Sequence, residues 1–218
     1  RGLFYGGITL WQLLTADGGK GPVRIGNVRI EDAPRFAWRG YMLDSARHFE
    51  SVAEIESLLD AMALHKLNVF HWHLSDDQGW RVEIRAYPEL TRTGGCRASA
   101  ENPASPLECG WYTQAQIRHV VDYAARRNIT IVPEIDMPGH ATAAIAAYPQ
   151  LGVSGQRIPV SNERGIHANQ MVAARMAADG RDRQARRADR ADLHAGGRAV
   201  RRRGVPDGAD RRGRGRGP

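Results

Sequence analysis

No stretch of the 218 residues approaches the roughly 20 consecutive apolar positions of a membrane-spanning helix, so no segment reads as a helical span. Cysteine is limited to Cys96 and Cys109, too few to resemble a zinc ligand set. No Gly-rich phosphate fingerprint follows any apolar run, which counts against a nucleotide-binding fold. No signal-peptide pattern is visible. The chain opens on Arg1, so the native N-terminus is expected to be missing and that absence says nothing about export. From residue 171 to 218 there is no Phe, Trp, Tyr or Ile, and Arg, Ala, Asp and Gly make up most of the segment. Such a stretch buries too little apolar surface to offset its ordering entropy, and disorder is expected there.

Charge follows the same division. Residues 1–170 hold 17 Lys+Arg and 18 Asp+Glu, a net of −1, whereas residues 171–218 hold 14 Arg and 6 Asp, a net of +8. The overall +7 therefore describes the tail.

What is present is concentrated in Leu67–Trp80, LNVFHWHLSDDQGW. It opens as a nearly continuous apolar run, which suits a strand buried on both faces of a parallel sheet. It then turns polar at His71, His73, Ser75, Asp76, Asp77 and Gln78. α/β enzymes place their sites at the carboxyl edge of such strands.

Around that stretch the elements alternate. Phe4, Ile8, Trp11 and Leu14 recur at helical spacing and predict one buried stripe, and Val23–Ile30 alternates like an edge strand. Arg39–Leu43 reads as a short strand with the outlet Asp44–His48. Ser51–Leu64 is a helix with Val52, Ile55, Leu58, Leu59 and Met62 inward and a Ser51/Glu54 capping box. After the strand Leu67–Leu74, the excursion Arg81–Gly110 is long enough to suggest a loop serving a site. Thr113–Arg127 is a second helix with a Thr113/Gln116 box. Ile129–Glu134 is a buried strand with the outlet Ile135–His140. The alternation predicts a parallel sheet. Three strands that each release charged residues at their carboxyl ends fit a (β/α)8 TIM barrel better than a doubly wound sheet.

Several residues at these outlets are candidates for chemistry. Asp76 and Asp77 are either a solvated turn or site carboxylates, and their place beside two histidines favours the site. His71 and His73 share a face; a metal pair would need a further convergent ligand, and hydrogen bonding is the favoured reading, with no metal expected. Asp136 and His140 flank the turn Pro138-Gly139, so a carboxylate can orient an imidazole there. Arg47, just past a strand end, suits clamping a polar ligand or lies on the surface.

RGYMLDSARHF, HKLNVFHWHLSDDQGWRVEI and GWYTQAQIRHVVDYAARRNITIVPEIDMPGHATAAIAAYP resemble the first three βα units of family 20 glycoside hydrolases, the β-N-acetylhexosaminidases. FYGGITLWQLL is similar to the helix that leads from that family's small N-terminal α/β domain into its barrel. The resemblance implies residues 1–34 as linker helix and connection, 35–170 as a partial TIM-barrel catalytic domain, and 171–218 as an Arg-rich tail. It implies that Arg47 holds the hydroxyls of a terminal sugar, that Asp76 and His140 form a supporting catalytic dyad, and that Asp136 lines the sugar pocket. The implied partner is an N-acetylhexosamine-containing oligosaccharide or glycoconjugate, without cofactor, metal or membrane. A secreted or periplasmic location is also implied; export would favour a disulfide between Cys96 and Cys109, whereas a reducing compartment would leave two free thiols.

The family's chemistry is substrate-assisted, and needs an adjacent Asp-Glu pair at the end of the fourth strand. The 218 residues contain no Asp-Glu dipeptide; Glu31-Asp32 is reversed and precedes the barrel segment. The implied hydrolysis of terminal non-reducing N-acetylhexosamine is therefore expected to be inactive in this chain, which leaves a sugar-binding remnant as the alternative. Two readings of the tail stay open. It is either a basic segment that binds nucleic acid or the out-of-frame translation of a GC-rich gene. The sharp change of character after Met171, and the lack of aromatics for stacking, favour the second.

Overall fold

The computed structural model describes residues 1–172, except 17, 19, 20, 103, 164 and 166; the expected disorder or frameshift of the tail lies outside the described residues from 173 onward. The centre is a three-stranded parallel sheet in the order β1-β2-β7, counting every strand in chain order. These strands are β1 (Gly40–Asp44), β2 (Val69–His73) and β7 (Thr130–Glu134). Two helices connect them in sequence, α2 (Val52–Leu64) after β1 and α4 (Gln114–Arg126) after the excursion that follows β2.

The helices start where the sequence says they should. Ser51 accepts from the Glu54 amide while the Glu54 side chain accepts from the Ser51 amide, and Thr113 and Gln116 repeat the arrangement. Both stop on a left-handed residue past the last turn, Lys66 at φ 57° and Asn128 at φ 59°. Their inner faces (Ile55, Leu59, Met62, Ile117, Val120, Ala124) pack with Phe70, Trp72, Leu74 and Tyr112 into the main core. Burying this many large apolar side chains, at about 1.5–3 kcal/mol each, holds the helices on one face of the sheet.

The opposite face is open. Register places Met42, His71 and Val132 in one row and Asp44, His73 and Glu134 in the next. Met42 and Val132 are exposed. The expectation that Ile129–Glu134 is a buried strand therefore fails: β7 is the edge of the sheet, exposed at Thr130, Val132 and Pro133 and half-buried at Ile131 and Glu134. β2 is more nearly buried, with His71 its one half-buried position.

Two N-terminal expectations are corrected as well. Helix α1 (Gly2–Leu14) forms, but no residue in it is buried, and Trp11 and Leu14 face outward. It docks on the amino-terminal side of the sheet through Phe4 and through polar groups. Tyr5 Oη accepts from Arg39 at 3.1 Å, Thr9 Oγ1 accepts from Lys66 at 2.7 Å, and Gln12 donates to the Leu64 carbonyl at 3.0 Å. Of the predicted apolar stripe, Phe4 and Ile8 are half-buried and Trp11 and Leu14 are exposed. Val23–Ile30 has no strand pairing and runs as irregular chain. A cavity of about 620 Å³ lies between α1 and this segment, on the far side from the charged strand ends.

The excursion after β2 is more structured than a loop. Ser75–Asp76 (β3) pairs with Gly79–Trp80 (β4), Glu89–Arg92 makes one helical turn (α3), and Cys96–Arg97 (β5) pairs with Glu108–Cys109 (β6). The Cys96–Cys109 disulfide closes the last pair. After β7 the chain turns at Pro138-Gly139 into the short helix α5 (Thr142–Ala147), which packs with Trp80, Leu90 and Met171 in a second core. Among the described residues no helix is long and apolar enough to cross a membrane.

Candidate functional site

The three strand ends converge because parallel strands in register finish together. Asp44, His73 and Glu134 are aligned across the sheet edge, and the outlets that follow carry Arg47, Asp76–Asp77 and Asp136–His140. The result is one charged network.

Asp76 is its hub and is buried. One carboxylate oxygen hydrogen-bonds His73 Nε2 at 3.0 Å and forms an ion pair with Arg47 at 2.6 Å; the other accepts from the Asp77 amide at 2.6 Å. Burial pushes its pKa up, but the His73 bond, the Asp77 amide and the Arg47 charge outweigh that and hold it below the usual carboxylate range. Arg47 is fixed from two sides, since it also donates to Asp44 at 2.5 Å. Its guanidinium remains partly exposed, which leaves donors available to a ligand.

His73 sits between two carboxylates, Asp76 at Nε2 and Glu134 at 2.8 Å from Nδ1. Burial disfavours its cation, but the hydrogen bond to Asp76, the close Glu134 carboxylate and the Asp44 charge push its pKa up to about 9. It is therefore an imidazolium at neutral pH. Glu134 also reaches His71 Nε2 at 2.6 Å. The two histidines do share a face, and what they share is a carboxylate.

Asp136 follows β7, and its amide donates to Ser75 Oγ at 2.9 Å. Burial, reinforced by the charges of Glu134 and Asp76, raises its pKa against the opposing pull of His73. His140 is in the left-handed region at φ 51°, uncommon for a residue with a side chain and typical of backbone held in place by its surroundings. Its Nδ1 lies 3.4 Å from an oxygen of Asp76 and 3.4 Å from an oxygen of Asp77, without a formed hydrogen bond to either. The imidazole thus stands midway between both aspartates, where the sequence suggested a pairing with Asp76 alone.

Asp77 serves a different purpose. Fully buried, it accepts from the Thr142 amide at 3.0 Å and from Thr142 Oγ1 at 2.5 Å, so it fastens the start of α5 beneath the site. Gln78 continues this anchoring by donating to the Glu163 carbonyl at 2.6 Å. Sequence reasoning missed Asp44 and Glu134 as site residues. Their signal was available: both are the charged last residues of strands flanking His73.

Two sets of ligand atoms lie within 4.8 Å of one another, His73–Glu134–Asp136 and Asp76–Asp136–His140. In the first, both His73 nitrogens already face carboxylates, Asp76 at Nε2 and Glu134 at Nδ1. In the second, the guanidinium of Arg47 already neutralises Asp76. The cluster is arranged as an ion-pair network that presents an arginine, a half-buried carboxylate and an imidazole on its open side. Those groups suit hydroxyl recognition.

The glycosyl hydrolase family 20 catalytic-domain model matches residues 36–182. A β-hexosaminidase of Porphyromonas gingivalis is 50% identical over 156 residues, which are 69% of this chain and 20% of that protein. One from Vibrio furnissii is 46% identical over 155 residues, 68% of this chain and 25% of that protein. The chain spans about a fifth to a quarter of the length of these curated relatives. Among solved structures, a β-N-acetylhexosaminidase crystal structure superposes with a TM-score of 0.75 at 32% identity, covering 89% of this chain and 40% of the other. A mutant Streptomyces plicatus β-hexosaminidase in complex with product GlcNAc gives 0.73 at 37% identity, covering 89% and 38%.

Proposed function

The chain belongs to glycosyl hydrolase family 20, and from that premise we propose that it is the sugar-holding first part of a β-N-acetylhexosaminidase barrel. In this reading β1, β2 and β7 with α2 and α4 are the first three βα units of a (β/α)8 barrel, and the open face of the sheet looks into the barrel interior. Arg47 and Asp136 hold the hydroxyls of a terminal N-acetylhexosamine, and Asp76 with His140 supports the reacting centre. The observation that carries the reading is the convergence of Arg47, Asp76, Asp136 and His140 on one strand-end edge. Arg47 is 2.6 Å from Asp76, and ligand atoms of Asp76, Asp136 and His140 lie within 4.8 Å of one another.

The reaction is retaining and substrate-assisted. The 2-acetamido oxygen of the substrate attacks its own anomeric carbon, the glycosidic oxygen leaves with a proton from a Glu, and water opens the oxazolinium. An Asp beside that Glu orients the acetamide. No Asp-Glu pair stands anywhere in the 218 residues, so this chain can hold the sugar without supplying the proton. Incubation with a chromogenic N-acetyl-β-glucosaminide tests the point: no release above the uncatalysed rate is expected. Turnover that disappears in Asp76→Asn would show that the acid is present after all.

A further inference from the structure

Arg81 closes the HWHLSDDQGWR motif, yet it takes no part in the charged network. It is buried, and among the described residues it forms no ion pair. Its guanidinium spends its donors on four backbone carbonyls: Nε on Ser45 at 2.9 Å, Nη2 on Ala46 at 2.8 Å, and Nη1 on Gly95 at 2.9 Å and Gly110 at 2.8 Å. Burial, and then the nearby Arg97 cation, pull its pKa down to about 10, which still leaves it charged at neutral pH. A buried cation without a carboxylate is costly, and here four carbonyl dipoles stand in place of the missing carboxylate. What the planar fork supplies is geometry.

The two ends of that fork hold two different things. Ser45 and Ala46 are the residues immediately before Arg47. Gly95 and Gly110 directly adjoin Cys96 and Cys109, the disulfide pair. The Gly110 amide donates to the Gly95 carbonyl at 3.0 Å, which brings the two acceptors together. The contact leaves no room for adjustment. A Cβ at position 79 would meet the guanidinium at 2.5 Å, and one at position 110 would meet the Phe49 ring at 2.3 Å. Phe49 in turn lies under the guanidinium, 5.8 Å from ring centroid to Cζ.

We propose that Arg81 is a positioning residue that ties Arg47 to the Cys96–Cys109 clasp, so that the redox state of the disulfide sets how firmly the sugar-holding arginine is placed. The role given to Arg47 rests on the function proposed above. The clasp can be reached, because Cys109 is exposed. Reduction by a dithiol breaks the S–S bond, two electrons and two protons pass to the cysteines, and the dithiol closes to its own cyclic disulfide. Gly95 and Gly110 are then held together only by their own hydrogen bond and the two-residue β5–β6 pair, so half of the fork's acceptors lose their covalent clamp.

The test uses the full 218-residue chain. Amide hydrogen exchange is followed at Ser45, Arg47 and His48, whose N–H groups are bonded at 3.1, 3.1 and 3.3 Å. Dithiothreitol, or the Cys96→Ser/Cys109→Ser pair, is expected to speed exchange there about tenfold while α2 and α4 stay protected. Arg81→Lys is expected to exchange fast in both redox states. Unchanged exchange at 45–48 on reduction overturns the proposal, as does an Arg81→Lys chain that still responds like the parent. A second measurement addresses the ligand. By reciprocity, saturating N-acetylglucosamine should lower the ratio of reduced to oxidised chain at a fixed dithiol ratio by the factor that reduction weakens sugar binding, about fivefold or more. A bound sugar that leaves the redox equilibrium unmoved overturns the coupling. A chain that binds no sugar overturns the proposed function, and the exchange result then decides the Arg81 linkage by itself.

Discussion

Raising the pH from 6.5 to 9 removes a proton from inside the charged network, and the structure sets the size of the effect. His73 is held between Asp76 at 3.0 Å and Glu134 at 2.8 Å. Although burial opposes its charge, these two carboxylate contacts raise its pKa from 6.5 to about 9. An unfolded histidine titrates near 6.5. Because the folded value is the higher one, the imidazolium's contribution to stability is complete below the unfolded value and is lost as the pH rises through about 9. At about 1.36 kcal/mol per pH unit, the full loss is about 3 kcal/mol. For a domain of this size that lowers Tm by roughly 6–12 °C. Asp76 and Glu134, both held low by their His73 bonds despite burial, contribute in the opposite direction. Their share is present above the ordinary carboxylate range and fades as the pH falls below it. Stability is therefore expected to be greatest between roughly pH 5 and 6.5. Thermal unfolding followed from about pH 3 to pH 9, with His73→Gln as control, measures both limbs. The variant should be less stable at pH 6 and flat up to pH 9. A parent chain whose Tm does not change between pH 6.5 and 9, or a His73→Gln chain with an equal fall, refutes the reasoning.

Two further outcomes follow from single contacts. Asp77→Ala removes a buried charged acceptor from the Thr142 amide and hydroxyl, and two such bonds predict a loss of about 3 kcal/mol or more by urea unfolding; a loss under about 0.5 kcal/mol would match an ordinary surface site and contradict the role. Gly79→Ala drives a methyl into the Arg81 guanidinium and towards the Ala46 carbonyl at 2.7 Å; overpacking of about 1–3 kcal/mol is expected in the same assay, and a neutral result would show that Arg81 can shift freely.

The capped helices were legible because their signals are local. Ser51 with Glu54 and Thr113 with Gln116 carry the boundary information within four residues. The charged outlets were legible for a similar reason, since an apolar run that ends in Asp, His and Arg has few other uses. Other features depend on how separate segments meet. The Asp44–His73–Glu134 row exists only once three strands have found their register. The Asp77 contact spans 65 residues. Arg81 binds carbonyls, which every residue carries and no side-chain pattern marks. The exposure of β7 and of half of the α1 stripe likewise reflects which surfaces find a partner, and periodicity records only which face is apolar.

If the strand-end network holds a sugar through Arg47, titration of the oxidised, isotope-labelled chain with N-acetylglucosamine will register it at the site residues. Saturable chemical-shift changes are expected at Arg47, Asp76, Asp136 and His140 and absent from the far side around Tyr5 and Lys66. In Arg47→Ala the apparent Kd should rise roughly 10–150-fold, the equivalent of one charge-assisted hydrogen bond. No shift at these residues, or a response that Arg47→Ala leaves intact, would contradict the account.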